Sequence, residues 1–372
     1  MLSMGSRAVA VLPLHGGRAP KWLFGRMVKL AACIVEVVVD EYGVRGLLER
    51  LSDPWFFQSL SCVLGYDWHS SGTTTVTCGA LKEAVNPLGL GVAFCGGKGR
   101  ASRRTPAQIV EHGEEFGLSS ARLEELVYAS RMSAKVDNSL VQDGYHLYHH
   151  TFVFDEGGDW IVVQQGINEG RGNARRYHWG PDSEEFVEPR EEIVCDSRLD
   201  EALDMTADVS GESRDACVDL VCEDPRRLRR MMAEPVASGQ ARLDGWAGRR
   251  CLVMPSGINW GAMKEAYDFQ PRGYEELVGL RGVGPATVRG LALVAELVYG
   301  ESASWADPVR YSFAFGGKDG VPFPVDREAM DEAVDVLKCG IKASSVRREE
   351  RMRALGRLKM CVPAIPQNRI NN

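Results

Sequence analysis

None of the ten cysteines forms a Cys-x-x-Cys pair, so a structural zinc site of the usual spacing is not expected. Cysteines scattered through a large, non-secreted chain read as reduced and mostly buried. No span approaches the roughly 18 uncharged apolar residues that a transmembrane helix needs. The richest stretch, Leu30–Val39, is broken by Glu36 and flanked by Lys29 and Asp40. The first residues also lack the ordered charged start, apolar run and small-residue cleavage site of a signal peptide. Together these absences predict a soluble, cytoplasmic protein with no membrane partner. A positive net charge is missing too. The balance of −7 argues against a protein coated in nucleic acid, so any basic surface has to be local. Histidine is scarce, and five of the seven (His69, His146, His149, His150, His178) fall between Asp67 and Trp179, where any acid–base chemistry is therefore expected.

Apolar residues make up 44% of the 372, enough for a real core and for about two or three domains. Pro20 opens a helix that runs to about Tyr42, and Gly43 ends it. Val44–Leu51 continues as a second helix, and Asp53-Pro54 starts a third over Trp55–Leu64. Leu90–Cys95 reads as a buried strand, and Thr105-Pro106 starts another helix. Phe152–Phe154 and Trp160–Gln165 flank Asp155-Glu156-Gly157-Gly158-Asp159, two apolar runs with a glycine-bearing turn, which predicts a hairpin. The composition turns acidic from residue 181, and Asp224-Pro225 begins a basic helix. The fold class expected is α+β and mostly helical. An N-terminal α+β domain (1–185) with a small sheet or hairpin leads through a helical connector (186–255) to an all-α C-terminal domain (256–372).

Three stretches carry candidate chemistry. Gly65–Thr75 places small hydroxyl residues between glycines, suited to a constrained loop beside a pocket, and its Asp67 and His69 can bind metal or shuttle protons. Gly96–Pro106 carries Lys98, Arg100, Arg103 and Arg104 among glycines. It can bind phosphates through backbone and side chains together, although it lacks the Walker A order. Ser130–Asn138, with Lys135 and Asp137, leads into Gln142–His150. If that second piece is helical, Asp143, His146 and His150 share one face and can ligate a divalent metal, Mg²⁺ or Mn²⁺. Gln164 and Gln165 are paired amides at the mouth of a strand. Arg175 and Arg176 stand with Tyr177, His178 and Trp179, a mixture of cations and rings suited to phosphates and bases. Each group also has a plain structural reading, as core, interface or solvated loop.

Leu277–Gly300 contains Leu-Arg-Gly-Val-Gly-Pro-Ala-Thr and resembles a helix-hairpin-helix, the module with which many repair and recombination proteins hold a phosphate backbone. Gly282, Val283 and Gly284 form the turn, and Pro285 sits in the first turn of a second helix, where its missing N–H costs nothing. The N–H groups of Gly284, Ala286 and Thr287 then suit a phosphate oxygen, with Arg289 on the same helix as a further contact. From Lys338 to Lys359 there are eight cations and two anions, a local balance of +6. Beside such a hairpin this is a backbone-contacting surface.

These motifs together resemble the domain of unknown function 763 family, found mainly in archaea and some bacteria. The matching pieces are Pro13–Gly17, Asp67–Gly72, Gly96–Gly99, Ser130–Asn138, Gln142–His150, Val162–Gly166, Arg175–Trp179 and the glycine hairpin. They cover the chain from about residue 8 to 355. The resemblance brings no mechanism with it. The family's pattern has a histidine where this chain has Phe315, before Gly316–Gly320, which implies that position 315 is not a required ligand.

The sequence thus supports a protein that binds DNA, or structured RNA, in repair or recombination. As a metal-dependent nuclease it would draw ligands from Asp67, His69, Asp137, Asp143, His146 and His150, with Lys135 near the scissile phosphate and Gln164 beside them. As a DNA-binding adaptor it would need only a basic track. As a base-excision glycosylase it would use Asp326 of Pro324-Val325-Asp326, 42 residues beyond Gly284.

Overall fold

The computed structural model describes residues 19–65, 71–181, 183, 185–188, 192–194, 199–233, 254–309, 335–342 and 348–361. Within them the fold is α+β and mostly helical, as expected from the sequence. Helix α1 (Lys21–Ser52) takes in both predicted N-terminal helices and kinks at Gly43, whose φ of 72° is accessible to glycine. Asp53 caps α2 (Pro54–Leu64) by accepting from the Trp55 and Phe56 N–H groups, and Pro54 occupies the first turn. Helix α3 (Gly72–Val85) begins where a loop was expected, so Thr73, Thr74 and Thr75 are helical. Their hydroxyls lower helix propensity but do not forbid a helix that is buried by its neighbours.

Strand β1 (Val92–Lys98) leads through a 3₁₀ turn, Gly99–Arg104, into α4 (Thr105–Glu115) and α5 (Ser120–Ser139). A short β2 (Val141–Gln142) precedes β3 (His146–Asp155), β4 (Trp160–Asn168), β5 (Asn173–Trp179) and β6 (Glu192–Val194). The predicted hairpin is β3–β4. The antiparallel sheet has the order β1-β3-β4-β5-β6, while β2 pairs with β7 (Leu203–Asp204). After β7 come α6 (Gly211–Cys222), α7 (Pro225–Ala233), α8 (Trp260–Phe269), α9 (Tyr274–Gly279) and α10 (Pro285–Val294). Residues 335–342 are helical, and α11 spans Arg348–Cys361.

The sheet is buried on both faces, and the two-residue period of the strands sorts its side chains. Phe94, Val153, Ile161 and Val163 join a core made with α1, α2, α3 and Val336, Leu337, Ile341 and Ala354. Ala93, Cys95, Phe152, Phe154 and Val162 join a second core. That core continues without a break through Leu126, Met132 and Val136 of α5 to Leu277, Val288 and Leu291. Helix α11 packs back on α2, and Arg357 donates to the terminal carbonyls of Cys62 (3.0 Å) and Val63 (2.6 Å). A cation at the end of a helix also complements its dipole.

Residues 146–150 form a strand where helical spacing was expected. The alternation Leu147, His149, Thr151 against His150, Phe152, Phe154 suits a pleated surface between two cores, and tertiary burial decides the outcome.

Candidate functional site

Helix α5 organises the site. Ser119 caps it by accepting from Arg122 N, and Leu123, Leu126, Met132 and Val136 are buried. Ser130, Ser133 and Asp137, at spacings of three and four, continue the Leu123, Leu126 row as a buried polar stripe facing β3 and β4. A β-bulge between Leu147 and His149 shifts the register of β3 on β4 just before His150. Bulges of this kind re-aim side chains. Here His150 lies opposite Gln164 on one side and Gly97 on the other. The close approach of β1 depends on Gly96 (φ 90°), because a Cβ there would run into the His150 carbonyl and the Thr105 hydroxyl.

Four side chains then form one hydrogen-bonded line. Ser130 Oγ is 2.9 Å from His150 Nε2, and His150 Nδ1 is 2.7 Å from Gln164 Oε1. Gln164 Nε2 donates to Asp137 Oδ2, which also accepts from Trp179 Nε1 at 3.1 Å. The direction of the line follows from chemistry. The indole N–H only donates, so Asp137 Oδ2 is an acceptor. The amide must therefore turn its NH₂ to Asp137 and its oxygen to His150. That places the imidazole proton on Nδ1 and leaves Nε2 as the acceptor for the Ser130 hydroxyl. Burial pushes His150 down to about 4, against the hydrogen bond it donates to Gln164, which raises it, so the ring is neutral near pH 7.

Ser130 and His150 open into a cavity of about 300 Å³. One wall is the Ser102–Pro106 stretch with Arg103; the other is Ser130, Arg131 and Ala134 of α5; the floor is Leu147–His150. No carboxylate lines it. Lys98, Arg100, Arg103, Arg104 and Arg131 are exposed around this part of the surface, and the Lys98 ammonium stands over the Tyr148 ring at 5.6 Å.

The same helix, with β2 just after it, holds the turn between α9 and α10. Lys135 Nζ donates to Leu280 O at 2.5 Å, and Gln142 Nε2 donates to Pro285 O at 2.8 Å. Tyr128 OH donates to Glu275 at 2.7 Å. Lys135 is therefore a structural tie, and burial lowers its ammonium to about 8. Gly282 (φ 88°) and Pro285 are exposed, whereas Val283 and Thr287 are buried. Gly284 and Ala286 are partly exposed at the start of α10, and Arg289 stacks on Trp305 at 4.8 Å.

Several expected site residues have other work. Arg175 and Arg176, expected as exposed phosphate contacts, are fully buried. Arg175 donates to Asp143 (2.8 Å) and Asp307 (2.5 Å), and Arg176 donates to Gln58 over the Phe57 ring. The cation–aromatic pattern of β5 was a core strand because both sheet faces are covered. Asp143, His146 and His150 make no ligand set on the expected helix face: Asp143 is held by Arg175 and Tyr177, His146 is exposed, and His150 belongs to the serine line. Among the described residues no group of three His, Cys, Asp or Glu is placed to hold a metal ion. The paired amides diverge, Gln164 toward α5 and Gln165 to Thr74, Tyr148 and the Ser71 carbonyl. Asp67, His69, Phe315, Asp326 and Pro13–Gly17 lie outside the described residues. Ser130 and Arg131 belong to the site but were not among the residues expected from the sequence. The Ser130, Ser133, Asp137 spacing was the signal available for Ser130.

A family model described as a protein of unknown function, DUF763, matches residues 8–325. No curated protein and no solved structure matches the chain.

Proposed function

Because the chain belongs to the DUF763 family over residues 8–325, a description that carries no activity, we propose its function from the site: a protein that binds nucleic acid and processes its backbone. One observation carries the reading. A single helix, α5, lines the cation-rimmed cavity with Ser130, Arg131 and Ala134 and ties down the 280–285 turn with Lys135. At 100° per residue, exposed Arg131 stands between those two faces. A strand laid along this surface would meet Lys98–Arg104, then the cavity and Arg131, then the helix-hairpin-helix-like turn of Gly282–Ala286. Gly284 and Ala286, partly exposed at the start of α10, offer N–H groups that suit a phosphate. The acidic net charge of −7 suits a local grip of this kind.

Binding of labelled single- and double-stranded oligonucleotides tests this. Arg131→Ala and Arg103→Ala should weaken binding and each reduce the salt slope by about one. Gly284→Glu should weaken it further. Unchanged affinity in all three variants would remove the surface as a nucleic-acid site. Strand cleavage measured in Mg²⁺, Mn²⁺ and EDTA then separates a nuclease from an adaptor that binds without turnover.

A further inference from the structure

We propose that Ser130 is a nucleophile, activated by His150 and positioned through Gln164 and Asp137, that attacks the phosphorus of a phosphate ester bound in the cavity. The substrate class rests on the nucleic-acid reading above; the relay itself rests only on geometry. Three features support it. Ser130 Oγ already donates to His150 Nε2 at 2.9 Å, the contact a general base needs before it takes a proton. The Gln164–Asp137 pair fixes the tautomer, so Nε2 is always the acceptor. Both reacting groups, although buried, line a cavity whose walls carry Arg103 and Arg131 and no carboxylate. That charge favours a phosphate over a neutral ester or amide, since two guanidiniums can neutralise the equatorial oxygens of the transition state.

The reaction balances without a co-reactant other than water. The Ser130 Oγ–P bond forms as the opposite P–O ester bond breaks. The hydroxyl proton passes to His150 Nε2 and then, through a water, to the departing alkoxide. A second water attacks the phosphoserine, its proton is taken up through His150, and Ser130 leaves protonated. Ser130 would be the catalytic residue that bonds to substrate; Gln164 and Asp137 are positioning residues.

The test uses the full chain and diisopropyl fluorophosphate, a phosphorylating probe that needs no nucleic acid. Intact mass and peptide mapping should find one adduct, on Ser130, forming equally well in EDTA. Ser130→Ala should abolish it. His150→Gln should slow it by about 100-fold or more, the usual contribution of a general base. Gln164→Leu should slow it by at least about tenfold, because the ring is then free to take the other tautomer. Gln164→Glu should restore it, since a carboxyl that shares a proton with Asp137 keeps both hydrogen bonds. No adduct on folded wild-type protein, or one that forms as fast in His150→Gln, overturns the proposal. Oligonucleotide binding is measured on the same samples. Labelling without binding supports the nucleophile and removes the nucleic-acid reading. Binding without labelling overturns the nucleophile and leaves that reading in place.

Discussion

Arg175 shows how much one side chain decides. Its guanidinium is fully buried between Asp143 and Asp307, and Leu199 N donates to the same Asp307 carboxylate at 2.5 Å. Residues 143, 175, 199 and 307 are joined at one point. Removing the cation alone strands two buried carboxylates. Arg175→Met should therefore destabilise the protein by about 3–5 kcal/mol in urea unfolding. Adding Asp143→Asn and Asp307→Asn should recover part of the loss, because the buried charge goes with them. A single variant as stable as wild type would show that the cluster is not held as described. From sequence, Arg175 and Arg176 looked like phosphate contacts, since an Arg-Arg-Tyr-His-Trp run has the same composition in a binding loop and in a core strand. Only the covering of both sheet faces tells them apart.

At the scale of elements, α5 does two jobs. One side carries the polar stripe Ser130, Ser133 and Asp137, and the other ties the α9–α10 turn through Lys135. Lys135→Met keeps the aliphatic stem and loses the donation to Leu280 O. Amide hydrogen exchange over residues 281–287 should quicken about 3–10-fold, as the loss of roughly 0.5–1.5 kcal/mol implies. Exchange in β3 and β4 should not change; a uniform increase would mean that Lys135 serves the whole fold. Much at this scale was legible. The β3–β4 hairpin, the cap at Asp53, the end at Gly43 and the Pro285 start each rest on a local rule that the fold keeps. The misreadings share one cause. His146–His150 and Gly72–Thr75 lack a strong local preference, and burial against neighbouring layers chose strand for one and helix for the other. The serine line was equally hidden, because its members come from residues 130, 137, 150 and 164 and meet only when α5 lies across the sheet.

For the molecule as a whole, three buried histidines on β3 and β5 set the response to acid. His150 is held down to about 4, His149 to about 3, and His178 is also lowered, in each case by burial first. The folded protein keeps these rings neutral, whereas unfolded histidine takes a proton near pH 6.5. Stability is therefore complete above about pH 6.5 and falls as the pH drops toward 4, with His150 alone contributing about 3 kcal/mol. Urea midpoints measured from pH 7.5 to 4.5 should decline steadily over that window. A flat profile would mean that these rings are reached by water.

The contact between Arg357 and the Cys62 carbonyl spans 295 positions of the chain. On a ribosome adding roughly 5–20 residues per second, α2 would leave the exit tunnel about 15–60 s before α11 could reach it. Over that interval the ends of α2 and the apolar faces later covered by Val336, Leu337, Ile341 and Ala354 stand open. The nascent protein is thus sticky longest in its α1–α3 layer, where a chaperone would do most for the yield of folded chains.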